Sequence, residues 1–146
     1  SGLRKIRDSA NIPIAADEAV SKLADAERIV GEEAADVLVV KPAQAGGIRH
    51  AKQIMHLARE RGLRSIVSSS LETGVGIAAG LHLAASLGKA EASALASGTL
   101  LECDLRTTPL LPVRGHITVP QLPGLGVELD LKSVEHYATD VKGISR

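Results

Sequence analysis

Apolar residues along the chain fall into two patterns. Short runs rich in β-branched and small residues recur: Ile12-Pro13-Ile14-Ala15-Ala16, Val37-Leu38-Val39-Val40, Ser65-Ile66-Val67 and, more weakly, Ala94-Leu95-Ala96. Consecutive apolar positions over so few residues predict strands buried on both faces. Between the runs, apolar residues return at helical spacing. The first predicted helix runs from about Ser21 to Val30, with Leu23, Ala26 and Val30 on one face. The second follows Gly46-Gly47, with Ile48, Ala51, Met55 and Ala58 on one stripe, and Gly62 suits its C-terminal turn. The third, Val75 to Leu87, is apolar almost all round, which predicts burial on more than one side. Strand signals roughly 25 residues apart with helices between them predict successive βα units in a parallel sheet.

After Thr107 the pattern changes. Pro109, Pro112, Pro120 and Pro123 punctuate what should be loops and short strands. Leu125 to Asp130 predicts a last extended segment, and Val134 to Ala138 a helical turn. The opening residues, Ser1 to Asp8, read as the tail of a helix with no strand before them. That opening predicts the second half of a longer protein.

Composition narrows the function. A chain of 146 residues builds one compact domain at most. With no Trp, no Phe and one Tyr, its core must be Leu, Val, Ile and Ala. Lys plus Arg and Asp plus Glu balance at 17 each, which gives no footprint for a nucleic-acid or anionic-membrane partner. Cys103 is the single cysteine, so a disulfide framework and a Cys-based zinc site are excluded, and a reducing cytoplasm is the expected setting. The apolar stretch Val75 to Leu87 is too short to span a bilayer.

Chemistry gathers at the strand ends. Lys41 closes the run Val37 to Val40, and an ammonium at the tip of a buried strand needs a carboxylate, a metal site or a substrate to compensate it. The C-terminal ends of parallel strands are where α/β proteins place their chemistry. The plain alternative is a lysine that snorkels to solvent. Asp17-Glu18 ends the first strand, and Asp17 offers one hard oxygen ligand for magnesium. The same pair would also suit a helix N-terminus. Ser68-Ser69-Ser70 with Glu72-Thr73 ends the third strand. A carboxylate facing an ammonium one strand away suits proton abstraction beside a metal-bound carboxylate.

Gly74-Val75-Gly76-Ile77-Ala78-Ala79 matches a dinucleotide-binding fingerprint. Glu72 beside it, the lengthened turn and the strand's place in the fold oppose that reading. Close packing, with free backbone N–H groups for a substrate carboxylate, is the simpler role. His50 and His56 read as polar-face residues, His82 as a satisfied core or interface histidine, and Cys103 as a packed side chain. Glu102 and Asp104 follow the fourth strand signal and could flank the mouth.

Taken together, Ile14-Ala15-Ala16-Asp17-Glu18, Val40-Lys41-Pro42 with Gly46-Gly47, and Ser68-Ser69-Ser70-Leu71-Glu72-Thr73-Gly74-Val75-Gly76 resemble the enolase superfamily, and within it the muconate-lactonising subgroup. The tail from Leu110 to Val113 and from Pro123 to Val127 resembles the same subgroup. The resemblance implies an α/β fold, the C-terminal half of a modified (β/α)7β barrel. Residues 1–108 would carry barrel strands five to eight. Residues 109–146 would pack back on the barrel and on a capping domain outside this chain. Asp17 matches the third magnesium ligand, with manganese an alternative cation, and Glu18 supports it without touching the metal. Lys41 matches the sixth-strand lysine, which faces a second lysine from a K-x-K motif outside this chain. Ser68, Ser69, Ser70 and Leu71 match the segment lining a succinyl arm, with Glu72 beside them, and Gly98 matches the eighth-strand turn near the substrate.

The implied partners are a small carboxylate substrate and the missing N-terminal half, with homo-oligomer formation a further expectation. The other two metal carboxylates and the first lysine are not in this sequence, so the isolated chain should bind magnesium poorly. The implied activity is syn dehydration of a succinyl-hydroxy-cyclohexadiene carboxylate to o-succinylbenzoate, a step of menaquinone biosynthesis. Racemisation of N-acylamino acids or epimerisation of dipeptides remains open, and so does a non-catalytic half-barrel.

Overall fold

The computed structural model describes residues 2–88 and 92–139. Helix α1 (Gly2–Ser9) precedes three βα units: β1 (Ala15–Ala16) and α2 (Leu23–Gly31), β2 (Val37–Val40) and α3 (Ile48–Glu60), and β3 (Arg64–Val67) and α4 (Gly74–Ala85). A 3-10 turn at Ser97–Leu100 and a short helix, α5 (Leu131–Tyr137), follow. The strands form one parallel sheet in the order β1-β2-β3. Sequential order with a helix after each strand is the arrangement that the alternating apolar runs predict.

The core forms around β2. Leu38 and Val40 lie on one face of that strand and are fully buried together with Ile29 of α2, Ile54 of α3, and Ile77 and Leu83 of α4. Each such side chain removed from water stabilises the fold by roughly 1.5–3 kcal/mol. That makes β2 the strand the rest is built on, and it fixes where the residue after Val40 must stand. Helix α3 packs on β2, β3, α2 and α4. Its predicted stripe holds for Ala51, Met55 and Ala58, which Ile54 joins, but Ile48 at its first turn is exposed. Gly62 ends it in the left-handed conformation at φ 73°, with Gly62 N–H donating to Arg59 O and Leu63 N–H to Ala58 O. That paired bonding is a Schellman C-terminus.

Three elements are shorter than their patterns. The first run yields only Ala15–Ala16 as strand, because Pro13 has no N–H and the Ile14 N–H goes to the Asp36 side chain. Ala94 makes a single parallel bridge to Ser68 and no strand, in keeping with the low β-propensity of an Ala- and Ser-rich run. Among the described residues, the Leu125 to Asp130 segment pairs only at Leu129, with Arg106. In the C-terminal segment, Leu110, Ile117 and Val119 are partly buried against the core, and residues 140–146 of that segment lie outside the described residues.

Asp36 ties the N-terminal side of the sheet together. Its Oδ1 accepts from Arg7 Nε and its Oδ2 from Ile14 N–H, both at 2.8 Å. Arg7 Nη1 also donates to Glu33 O, and Arg4 Nη1 to Glu32 O, so α1 is strapped to the turn after α2. The Ile14 N–H, then the Arg7 guanidinium, hold the Asp36 carboxyl below its ordinary value near 3.8. A depressed folded-state pKa means the stabilisation is present above the unfolded value and is lost as pH falls through the folded one. Asp36→Asn should therefore lower the urea midpoint at neutral pH, with the gap to wild type closing as pH falls from 3.8 through the lowered Asp36 value. A gap of constant size across that range would contradict this.

Candidate active site

The three strands end side by side, and their next residues are Asp17, Lys41 and Ser68. Lys41 does not snorkel: it is 8% exposed. Its Nζ donates to Glu18 Oε1 at 2.7 Å and lies 2.7 Å from Asp17 Oδ1. The carboxylate of Asp17 first, then that of Glu18, raise the Lys41 pKa above the ordinary lysine range, against the opposing effect of burial. Glu18 is held below its usual range, mainly by the hydrogen bond from Lys41 and then by its own backbone N–H. The two acids differ in setting. The Glu18 side chain is 77% exposed and that of Asp17 45%. Yet Asp17 Oδ1 itself is shut off from solvent and, among the described residues, has no aligned hydrogen-bond donor beyond its close approach to Lys41.

Beside this cluster, the serines of the β3 end are bonded to the structure around them. Ser68 is buried, and its hydroxyl donates to Ser69 O and Ala94 O. The Ser69 hydroxyl donates to Ala94 O and shares a 2.8 Å hydrogen bond with the Ser97 hydroxyl. Ser70 N–H donates to Glu72 Oε1, and the Ser70 hydroxyl accepts from Gln44 Nε2 at 3.4 Å. Leu71 is 63% exposed, so this loop presents Ser70 and Leu71 outward while Ser68 and Ser69 anchor it. Gln44 and Ser97 did not stand out in the sequence. Gln44 lies three residues after Lys41 in the same turn, and Ser97 directly before Gly98, and those positions were the available signal.

One expectation is corrected. The N-terminus of α4 does not offer its first N–H to a ligand, because Gly74 N–H donates to the Asp104 carboxylate. Close packing does hold: a Cβ at Gly76 would lie 2.5 Å from Glu72 Oε2, and one at Gly80 2.8 Å from Leu95 Cδ2. Two carboxylates at that helix end leave no electrostatic room for a pyrophosphate. His50 and His56 are exposed, and His82 Nε2 pairs with Leu125 O at 3.2 Å. Cys103 is half-buried and free.

Among the described residues, no group of three or more His, Cys, Asp or Glu could hold a metal. Asp17 still fits part of a hard-cation site. Its Oδ1 lies against Lys41, but the side chain is 45% exposed at the strand ends and a carboxylate is the donor type magnesium prefers. Further oxygens would have to come from outside this chain. Also among the described residues, no helix is long and apolar enough to cross a membrane.

Residues 1–134 match the model of the family described as Enolase C-terminal domain-like. The chain is 45% identical over 118 residues to an o-succinylbenzoate synthase of Thermobifida fusca, covering 80% of this chain and 36% of that protein. It is 33% identical over 143 residues to Muconate cycloisomerase 1-2 of Acinetobacter lwoffii, covering 97% of this chain and 37% of that one. The structure of an N-succinyl Arg/Lys racemase from Bacillus cereus superposes with a TM-score of 0.87 at 26% identity, over 94% of this chain and 37% of that chain. The chain thus spans little more than a third of the length of these relatives.

Proposed function

The chain belongs to the enolase C-terminal domain-like family, and on that premise we propose that it supplies the Lys41 face of an o-succinylbenzoate synthase-type active site. In this reading residues 1–108 form the second half of the barrel and residues 109–146 pack back on it and on a capping domain. The remaining strands, metal carboxylates and proton-abstracting lysine come from a companion segment. The observation that carries the reading is the placement of a buried Lys41 between Asp17 and Glu18 at adjacent strand ends.

Asp17 would be a ligand of magnesium or manganese, with Glu18 beside it. The cation, when bound, supplies Lewis-acid polarisation of the substrate carboxylate. The companion lysine takes the proton next to that carboxylate. The electron pair left behind forms the new double bond and expels the hydroxyl, which takes back the proton now on that lysine and leaves as water, and the ring becomes aromatic. Lys41 holds a positive charge against the other face of the ring while it is anionic, and a charge fixed in advance of the reaction costs no reorganisation. Ser70 and Leu71, on the loop anchored by Ser68, Ser69 and Glu72, receive the succinyl arm, with Gly98 at the next turn.

Two-base racemisation of an N-succinylamino acid is the second reading. It is favoured by the fold shared with the Bacillus cereus racemase. It requires Lys41 to pass through its neutral form, which Asp17 and Glu18 oppose. The test compares kcat/KM of the complete enzyme for dehydration, followed by absorbance, with that for α-proton exchange of N-succinylamino acids in D2O, followed by NMR. Dehydration should be the faster reaction. A faster exchange from both enantiomers would replace this reading by the racemase.

A further inference from the structure

Asp104 lies thirty residues beyond the helix end it touches, and the mechanism above makes no use of it. Its side chain is 11% exposed. Its Oδ1 accepts the Gly74 N–H, and its Oδ2 accepts the Leu110 N–H at 3.4 Å. It leaves no space for a side chain at Gly74, where a Cβ would lie 2.6 Å from Oδ2, whereas a Cβ at Gly98 would meet Oδ1 only at an ordinary van der Waals distance of 4.0 Å. Arg106 backs it: that side chain is 7% exposed, with Nη1 4.0 Å from Asp104 Oδ2. Among the described residues the buried Nε and Nη1 of Arg106 have no hydrogen-bond partner, and the Asp104 carboxylate is the acid that lies near its charge.

We propose that Asp104, held by Arg106, is a positioning residue for the loop from Ser68 to Thr73 and so for the substrate's distal carboxylate arm. This rests on the functional reading above. The loop has two ends. β3 and the serine hydrogen bonds to Ala94 fix the first. The second is the first turn of α4, and there the Asp104 carboxylate satisfies a buried N–H and meets the positive end of the helix. Within the loop, Glu72 Oε1 accepts from Ser70 N–H, so a shift of Gly74 moves Glu72 and Ser70 with it.

The test uses the complete enzyme. Asp104→Ala should raise KM about ten- to a hundredfold for a substrate bearing the distal carboxylate, the loss expected when a buried N–H is left without a charged acceptor. kcat should stay within about threefold, and KM for a substrate lacking that carboxylate should stay near wild type. Asp104→Asn, which keeps an acceptor for Gly74 N–H, should recover most of the loss. Amide exchange across residues 70–76 should speed up in Asp104→Ala and, to a lesser degree, in Arg106→Met, which serves if the alanine variant does not fold. Wild-type KM and wild-type exchange at 70–76 in a folded variant would overturn the proposal. Equal rises in KM for both substrates would reduce Asp104 to a general structural residue and overturn it too. If wild type turns over no carboxylate substrate, the functional reading fails, and the exchange at 70–76 still decides the role of Asp104.

Discussion

Alanine at Lys41 in the complete enzyme should lower kcat at least about a thousandfold, the scale of losing a charge aimed at a developing anion. The unfolding temperature should stay near wild type. The two effects separate because the partners of Lys41 differ from Lys41 itself in exposure. Lys41 is buried, whereas the Glu18 and Asp17 side chains are 77% and 45% exposed, so both acids regain water when the ammonium is gone. Ion pairs with that much solvent contribute little to stability. Lys41→Arg keeps the charge on a planar, wider group and should recover only part of the rate. Steady-state kinetics with a thermal melt checks both halves. Substantial turnover in Lys41→Ala would remove Lys41 from the mechanism.

Asn at Asp17 should produce the second largest loss. The substitution keeps the shape but removes the ionised oxygen that a hard cation prefers. Losing it should raise the magnesium concentration needed for half-maximal turnover and lower the maximal rate by about a hundredfold or more. Glu18→Gln is the matched comparison. Its carboxylate hydrogen-bonds Lys41 from an exposed position, so the magnesium titration should move much less. The readout is turnover against magnesium concentration for the two variants side by side. Equal shifts in both, or none in Asp17→Asn, would contradict the assignment of Asp17 as a ligand.

The parts of this architecture legible in the sequence are those dictated by local patterning. Val37 to Val40 reads as a buried strand and forms one, and that strand carries Lys41 to the mouth. The spacing of Asp17, Lys41 and Ser68 against parallel strands placed all three at one end before any contact was known. What patterning could not deliver was long-range bonding. Ile12 to Ala16 reads as a five-residue strand, but Asp36, twenty-two residues away, takes the Ile14 N–H and shortens it. The Gly74-x-Gly76 turn reads as an open anion site because nothing nearby reveals that Asp104 fills it. Arg106 looks like an ordinary loop cation, and only its burial shows otherwise.

The reaction itself is inferred from site and family together, since the chain spans only a third of its relatives' length. The most direct test is magnesium-dependent formation of the aromatic product from the succinyl-hydroxy-cyclohexadiene carboxylate by the complete enzyme, followed by absorbance. Turnover should vanish on chelation and return when magnesium is restored. A folded, magnesium-loaded enzyme that forms no aromatic product would contradict the proposed reaction.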